Sequence, residues 1–463
     1  MNTILFSKKV EVRYQAQVVV VGGGPSGFCA AVAAARAGAD TLLIEEGGCA
    51  GGMATRGLVG PFMTSYDKDG KQMIIRGLFE ELVNRMVMRG GAIHPEGVRA
   101  GTAFTSWIVL GHDHVTPFEP ECLKIVMDEM LAEAGVRVLY HTRFVEPVVQ
   151  DGTIRQIIID SKAGLEAVSA DVFIDCTGDA DVAYRAGVPC EKGNEELGLI
   201  QPASLFFQIG NVRLAPLEAD IVAHKDQFYR KDGVNYRSLH WRVTEAREHG
   251  DWPLQRVSIG LFRGVKEDEW FINTSRVMGV DATDNQSLTR GEIEGRKQVE
   301  IIFNFFRKYV PGCEDARLLC SASTFGIRES RHVKGLYRLM TDDLLEGKVP
   351  SDSICLASNS VDVHGRFGPL SNQYAAIRNG RWYGIPYRCL VPERIDNLLV
   401  AGRCVSAESD AAGAIRVMPP STAMGQAAGQ AAAMAVQQRL AVSDVSVSEL
   451  QQKLREQGAF LEV

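Results

Sequence analysis

The chain has 463 residues, of which 46% are hydrophobic and 23% charged, a composition typical of a globular protein with two or three domains. Its net charge of −7 argues against nucleic acid or an anionic membrane as a partner, and no apolar run reaches the ~18 residues of a membrane span. Its ten cysteines include no Cys-x-x-Cys pair and its first residues lack a secretory signal, so we expect a cytoplasmic protein with reduced thiols.

A strand, a helix and a second strand are predicted at residues 17–21, 26–37 and 41–45. Between the first strand and the helix lies the run GGGPSG, from Gly22 to Gly27, which satisfies Gly-x-Gly-x-x-Gly. In dinucleotide-binding units of this order the phosphates lie on the N-terminus of the helix. The first 45 residues therefore predict the start of a Rossmann-like domain.

Glycine is needed at three positions of this run, each for a different physical reason. Gly22 permits the tight turn, Gly24 lets the backbone approach a pyrophosphate, and Gly27 lets the helix pack closely on the strand. Glu45 ends the second strand, where its carboxylate can accept hydrogen bonds from a ribose diol and would repel a 2′-phosphate. The neighbouring candidate cofactor contacts are Pro25, Ser26 and Glu46.

The following segments predict further strands and helices. Residues 119–134 favour an amphipathic helix and 136–140 a strand, while 145–149 and 154–159 are expected to pair through the turn QDGT. In the centre of the chain, a capping box at Thr289-x-x-Glu292 predicts a helix that runs to about Tyr309. Near the C-terminus, residues 397–401 predict a strand, and 421–438 a helix that Ser421 or Thr422 could cap.

Two patterns that would indicate other cofactors are absent from the sequence. There is no second Gly-x-Gly-x-x-Gly, so a separate nicotinamide-binding domain is not predicted. His112 and His114 stand at alternate positions but have no third ligand nearby, so no metal site is predicted.

Both ends of the chain carry a family resemblance. The runs VVVVGGGPSGFCAAVAAARAGADTLLIEE and GGCAGGMATRGLVGPF, with NLLVAGRCVSAESDAAGAIRVMPPSTAMGQAAGQAAAMA near the C-terminus, resemble FAD-dependent oxidoreductases of the glutathione-reductase structural superfamily. More narrowly, they resemble its single-flavin, fumarate-reductase-like branch. The run DVFIDCTGDADVAYRAG resembles the strand and turn that lead out of the FAD domain in this family.

The resemblance implies FAD rather than NAD, and an α/β fold. A Rossmann-like FAD-binding domain, a parallel sheet with a β-meander, would be formed by residues 1–190 together with 385–463. A mixed α+β substrate domain would be inserted between them, at 191–384.

The resemblance also extends the predicted cofactor site beyond the glycine run. The backbone at Val145 would meet the adenine, and Arg56 would hold phosphate or substrate. The N-terminus of the C-terminal helix, at Thr422 and Met424, would face the N1–C2=O edge of the flavin. The complete set of added residues is Gly51, Gly52, Met53, Arg56, Val145, Thr177, Gly178, Gly402, Arg403, Thr422 and Met424.

Polar residues in the runs GIRESR, VDVHGRFG and GIPYRCL are candidates for the chemistry. Two arginines from separate segments could clamp a carboxylate, and His364 can titrate near neutrality as a base, with Tyr387 as the next candidate. Glu329 and Arg331 could equally form a structural network of salt bridges. The predicted catalytic set is Arg328, His364, Arg366, Tyr387 and Arg388.

The sequence thus predicts an oxidoreductase of the dehydrogenase or reductase type. It would move a hydride between a small carboxylated or hydroxylated molecule and flavin N5. A flavin monooxygenase or oxidase, and a non-redox or redox-sensing FAD-binding protein, stay as alternatives. The electron acceptor and the oligomeric state, including a homo-oligomer, stay open.

Overall fold

The computed structural model describes residues 4–5, 7–231, 234–365 and 373–462. The strands, in chain order, are β1 Val12–Val21, β2 Thr41–Ile44, β3 Arg137–Leu139, β4 Arg143–Gln150, β5 Thr153–Ser161, β6 Gly164–Asp175, β7 Cys190–Lys192, β8 Phe207–Gly210, β9 Tyr229–Lys231, β10 Val234–Arg237, β11 Leu261–Arg263, β12 Trp270–Ile272, β13 Arg317–Ser321, β14 Arg331–Val333, β15 Ser353–Ala357, β16 Val361–Val363, β17 Gln373–Ala375, β18 Tyr383–Pro386 and β19 Leu398–Val400. The helices are α1 Pro25–Arg36, α2 Leu78–Met88, α3 Pro120–Glu133, α4 Asp181–Arg185, α5 Leu214–Ala223, α6 His240–Glu248, α7 Asn285–Tyr309, α8 Thr341–Leu345, α9 Ser409–Ile415, α10 Met418–Gln438 and α11 Val447–Glu456. In these ranges no helix is both long enough and apolar enough to span a bilayer.

A seven-stranded sheet unites the two ends of the chain. Strands β3, β2, β1, β6 and β19 pair in parallel in that order, while β4, β5 and the first part of β6 form an antiparallel meander. The valines at the end of β1 are buried on both faces, as expected for a strand inside a parallel sheet. The predicted α/β fold with a parallel sheet and a β-meander is confirmed.

Helices α1 and α10 pack together against this sheet with very little space between their backbones. A Cβ on Gly425 would lie 2.0 Å from the carbonyl oxygen of Ser26, and one on Gly429 would lie 2.1 Å from that of Ala30. Glycine is therefore required at both positions for this approach. The C-terminal helix completes a unit that the first 45 residues begin.

The predicted start of the C-terminal helix is wrong. α10 begins at Met418 with Val417 as N-cap, and no side chain caps it, so the expected capping by Ser421 or Thr422 is also wrong. The helix includes its two prolines because the N–H groups of the first turn have no partner within the helix.

The predicted capping box in the centre of the chain is wrong as well. Helix α7 begins at Asn285, four residues before Thr289, and the carboxylate of Asp284 accepts from Gln286 N at 3.1 Å. Thr289 lies inside the helix, where its hydroxyl donates to the carbonyl of Asn285 at 2.7 Å. The side chain that caps this helix is therefore the aspartate Asp284 and not Thr289.

The buried apolar side chains of the described residues form three clusters, of which two are large. The first surrounds the seven-stranded sheet and includes the apolar residues of β15, β16 and β18. The second surrounds the antiparallel sheet β11-β12-β8-β13 and helix α7, and takes most of its members from residues 203–325. The division into 1–190 with 385–463 and 191–384 stays a prediction, and this packing groups β15, β16 and β18 with the sheet of the first cluster.

Candidate functional site

A cavity of about 670 Å³ is lined by residues of both clusters. Its lining includes four residues of the glycine run, Gly22, Gly24, Pro25 and Ser26. Glu45, Arg328, Asp362 and His364 also line it. This volume lies within the range of roughly 300–1,000 Å³ that small-molecule and cofactor sites occupy. One cavity thus contains residues from both predicted sets, those expected to bind the dinucleotide and those expected to be catalytic.

The glycine run forms a cradle at the N-terminus of α1. Gly22 has a φ of +96°, and a Cβ there would lie 2.5 Å from the carbonyl oxygen of Cys176. A Cβ on Gly27 would lie 1.8 Å from the oxygen of Gly22, whereas one on Gly24 would meet no heavy atom within 4 Å. No side chain caps α1, so its first N–H groups are available to an anion. These residues fit a pyrophosphate over Gly24.

Glu45 is held rigidly at the end of β2. Its Oε2 accepts from Gly23 N at 2.7 Å, and its Oε1 accepts from Gly47 N at 2.6 Å and from Arg56 Nη2 at 2.9 Å. The carboxylate is buried, and the guanidinium balances its charge. This arrangement fixes the direction of the carboxylate, as recognition of a ribose diol requires.

Most of the predicted cofactor residues line the cavity. Arg403 ties two of their segments together, because its Nε donates to the carbonyl of Gly178 at 2.7 Å and its Nη2 to Asp179 Oδ1 at 2.7 Å. The predicted residues in the lining are Gly22, Gly24, Pro25, Ser26, Glu45, Glu46, Gly52, Met53, Arg56, Thr177, Gly178, Gly402 and Arg403.

Five predicted cofactor residues lie outside the lining. The Thr422 hydroxyl donates to the carbonyl of Pro419 at 2.6 Å, and Met424 is buried in the first cluster. Because α10 begins earlier than predicted, Val417, Met418 and Ser421 line the cavity in their place. The five residues are Gly27, Gly51, Val145, Thr422 and Met424.

Val145 lies at an irregularity of the meander. The pairing of β4 with β5 skips this residue, and its carbonyl accepts from Arg185 Nη1 at 2.7 Å. Its neighbour Phe144 lines the cavity instead. The contact of Val145 with adenine stays a prediction.

His364 follows β16 and is buried among charged groups. Its Nδ1 lies 3.2 Å from Arg276 Nη2, its Nε2 lies 3.1 Å from Asp362 Oδ2, and its backbone N–H donates to Gln201 Oε1 at 3.1 Å. Burial holds the pKa of His364 well below its usual range; Asp362 acts in the opposite direction, and Arg328 and Arg276 lower it further. The imidazole is therefore neutral at neutral pH.

Arg328 is the predicted arginine that the structure brings into the lining together with His364. Its Nη1 donates to the carbonyl of Pro202 at 2.7 Å and to Ser204 Oγ at 2.9 Å, which fixes the plane of the guanidinium. Arg416 also lines the cavity, and its Nη2 donates to the carbonyl of Asp362 at 3.2 Å. Arg328 and Arg416 are thus two of the six arginines in the lining that contains His364.

The structure does not bring Tyr387 and Arg388 to this place, which corrects the expectation that they face the site. Tyr387 is buried, and its hydroxyl donates to the carbonyl of Val442 at 2.7 Å. Arg388 is exposed and forms an ion pair with Asp352, with Nε and Oδ2 2.8 Å apart. Neither residue lines the cavity. Arg366 lies outside the described residues.

Glu329 and Arg331 both make contacts within the protein, and their part in a salt-bridge network stays a prediction. Glu329 is buried and accepts from Gln201 N at 3.0 Å, and Arg331 pairs with Asp181 at 2.9 Å.

Sequence reasoning missed Gln201, Arg276 and Arg416. Gln201 and Arg276 stand in no recognisable motif, whereas Arg416 lies in the C-terminal run that carries the resemblance and could have been noticed there.

Comparison with known proteins gives one family. The family described as FAD dependent oxidoreductase matches residues 17–454. None of the curated proteins matches the chain.

Solved structures give distant likenesses. The chain is similar to a geranylgeranyl bacteriochlorophyll reductase-like protein from Thermoplasma acidophilum, at 13% identity and a TM-score of 0.43, covering 96% of this chain and 83% of that one. It is also similar to the p-nitrophenol 4-monooxygenase PnpA from Pseudomonas putida, at 12% identity and a TM-score of 0.46; the match covers 95% of this chain and 84% of that one. A third similar structure is that of L-proline dehydrogenase from P. horikoshii, at 12% identity and a TM-score of 0.42; the match covers 97% of this chain and 100% of that one.

Proposed function

Because this chain belongs to the family of FAD dependent oxidoreductases, we propose that it transfers a hydride between a small carboxylated or hydroxylated molecule and its flavin. The enzyme class and the cofactor follow from the family. The substrate class and the type of reaction are the proposal.

The observation that carries the proposal is one cavity that contains both the glycine cradle and a cationic cluster, which consists of the guanidinium groups of Arg328 and Arg416. Gly24 and Glu45 line it together with Arg328, His364 and Arg416. The buried guanidinium of Arg328 and the partly exposed one of Arg416 favour an anionic or strongly polar ligand, since a carboxylate can accept two parallel hydrogen bonds from one arginine. A small acid or hydroxy acid matches this chemistry.

The residues of the cradle suit FAD. We assign the pyrophosphate to the first turn of α1 beside Gly24, and the ribose to Glu45, whose carboxylate is already fixed by Gly23 and Gly47. When bound, FAD supplies the redox group that gains or loses the hydride.

The cationic cluster would bind and orient the substrate. Arg328 and Arg416 would hold its anionic group. The proton that accompanies hydride transfer would be held by the Asp362–His364 pair, whose contact is Nε2 to Oδ2 at 3.1 Å. The buried position of His364 keeps this proton exchange away from bulk water.

The test is anaerobic reduction of the bound flavin by a panel of small carboxylic and hydroxy acids, followed by admission of air. We expect bleaching by at least one acid, and a rate about 10²-fold lower or more for His364→Ala, with FAD content unchanged. Arg388→Lys serves as the control, because Arg388 pairs with Asp352 outside the lining.

Two outcomes would contradict the proposal. Fast, saturable bleaching of the flavin by NADH or NADPH, with no bleaching by the acids, would show that a nicotinamide and not an acid substrate reduces the flavin. Incorporation of oxygen into the organic substrate after admission of air would indicate a monooxygenase.

A further inference from the structure

We infer that Arg276 is a positioning residue that fixes His364 in one tautomer, with Nδ1 as hydrogen-bond acceptor and the proton on Nε2. The inference concerns a property of the chain itself and stands whether or not the proposed reaction is correct.

The argument begins with the chemistry of the two side chains. A guanidinium has five N–H donors and no acceptor, so a ring nitrogen that hydrogen-bonds to it must present a lone pair. Arg276 Nη2 lies 3.2 Å from Nδ1 of His364. A neutral imidazole carries a single N–H, which then resides on Nε2. Nε2 lies 3.1 Å from Asp362 Oδ2, so its proton faces that carboxylate.

The charges around the ring support the same state. Protonation of Nδ1 would set an N–H donor against the donors of Arg276 and add a third positive charge beside Arg276 and Arg328. Asp362 is the negative group that opposes this, and Arg416 donates to the backbone carbonyl of Asp362. Burial of the ring and the two arginines outweigh the carboxylate, which holds the pKa of His364 well below its usual range.

Arg276 is itself held firmly. Gln298, buried on α7, accepts from Arg276 N at 2.8 Å and donates to its carbonyl at 3.1 Å. The next residue, Val277, exchanges two backbone hydrogen bonds with Ala203, at 2.9 and 3.0 Å. Because the backbone is fixed on both sides, the guanidinium is presented to the ring from a rigid support.

His364 is anchored from the other side. Its backbone N–H donates to the side-chain oxygen of Gln201, and the backbone N–H of Gln201 donates to Glu329 Oε2 at 3.0 Å. Val361 and Val363 belong to the first apolar cluster, whereas Val277, next to Arg276, belongs to the second. The Arg276–His364 contact therefore joins the two clusters at the cavity.

This geometry changes the role expected for His364. The ring can take a substrate proton on Nδ1 only if Arg276 moves away. While the contact holds, Nδ1 is occupied as an acceptor and Nε2 carries the proton. Asp362, whose Oδ2 lies 3.1 Å from Nε2, is then the member of the pair that can accept a proton. The position of Arg276 thus determines whether Nδ1 of His364 or the carboxylate of Asp362 can accept the proton.

The test uses the purified flavin-bound protein labelled with ¹⁵N in histidine, because ¹⁵N shifts distinguish protonated from unprotonated ring nitrogens. The His364 signals are assigned by their loss in His364→Gln. In the wild type we expect an unprotonated Nδ1 and a protonated Nε2 from mildly acidic to mildly alkaline pH. Arg276→Leu removes a positive charge and a donor, so the ring should gain a second proton at a higher pH than in the wild type.

Two further variants make the test specific. Arg276→Lys retains a donor-only cation and should preserve much of the wild-type pattern. Arg213→Leu is the matched control, because Arg213 has 62% of its side chain exposed, pairs with Glu314 and makes no contact with His364. It should leave the His364 signals unchanged.

A protonated Nδ1 in the wild type would overturn the inference without any variant, which keeps it testable even if Arg276→Leu does not fold. A folded Arg276→Leu with wild-type signals and titration would overturn it as well. None of these measurements needs turnover, so their failure is distinct from failure of the proposed reaction.

Discussion

The part of the cavity around the glycine run and the part around His364 are built in different ways. The first is mainly backbone: Gly22, Gly24 and the uncapped first turn of α1 come from consecutive residues. The second is made of side chains, and Arg276, Arg328 and His364 are brought together from separate segments of the chain.

This difference teaches which changes each part tolerates. The cradle depends on the absence of Cβ atoms, so a single methyl group can abolish it. The cationic cluster depends on the number and direction of hydrogen-bond donors, so loss of charge or of planar geometry is the sensitive change. The predictions below test this contrast.

The largest effect is expected for Gly27→Ala. The new methyl would lie 1.8 Å from the carbonyl oxygen of Gly22, so α1 would have to move away from β1. We expect the free energy of unfolding to fall by about 3 kcal/mol or more, measured by urea denaturation. Gly97→Ala is the control, since its Cβ would meet no heavy atom within 4 Å. Equal stability of the two variants would contradict a cradle built by close packing.

The next effect concerns pH. Burial raises the pKa of Asp175, at the end of β6, to about 6, although hydrogen bonds from Ala183 N and Thr177 act to lower it. The folded chain then holds this proton more tightly than the unfolded chain, whose aspartate has a pKa near 3.9. Its stabilising contribution is complete below about pH 4 and is lost as the pH rises through about 6.

Asp175→Asn removes this titration. Between about pH 4 and pH 7 the wild type should therefore lose roughly 2–3 kcal/mol of unfolding free energy relative to the variant. Urea denaturation of both proteins at the two pH values measures the difference. A difference that stays constant would show that Asp175 has the same pKa in the folded and the unfolded chain.

Gly24→Ala separates binding from folding within the cradle. A Cβ at this position would meet no heavy atom of the protein within 4 Å, so the stability of the apoprotein should not change. The methyl would project into the cavity, and FAD should bind about tenfold more weakly or worse, a loss of about 1.4 kcal/mol. Titration of the apoprotein with FAD measures the affinity, and unchanged affinity would place the pyrophosphate elsewhere.

The smallest effects concern the arginines. Arg328→Lys cannot reproduce the planar fork that bonds Pro202 and Ser204, so KM for the acid substrate should rise about tenfold, equivalent to about 1.4 kcal/mol. Arg388→Lys should change neither KM nor kcat. Steady-state kinetics of both variants provide the measurement, and equal KM values would remove Arg328 from substrate binding.

The sequence was informative where structure is decided locally. The glycine run, the end of β1 and the whole of β2 were predicted near their observed bounds because turn geometry and β-branched runs act over a few residues. The start of β1 was not, since the strand begins at Val12, five residues before the predicted start. The hairpin of β4 and β5 was predicted for the same reason: Asp151 and Gly152, with φ of +48° and +71°, suit a tight two-residue turn.

The sequence was uninformative where long-range packing decides. Arg276 meets His364 across 88 positions, and no spacing in the chain signals that contact. Tyr387 and Arg388 were expected in the site because they precede the C-terminal FAD segment. Proximity along the chain did not fix the direction of their side chains: one points to Val442 and the other to Asp352.

The contact of α1 with α10 also bears on how the protein is made. Gly425 and Gly429 complete a surface that begins at Ser26 and Ala30, about 400 positions earlier in the chain. During synthesis, the alanine-rich face of α1 emerges from the ribosome long before α10 exists to cover it. The nascent chain must therefore keep an apolar helix and an unfinished sheet from aggregating until nearly the whole protein has been translated.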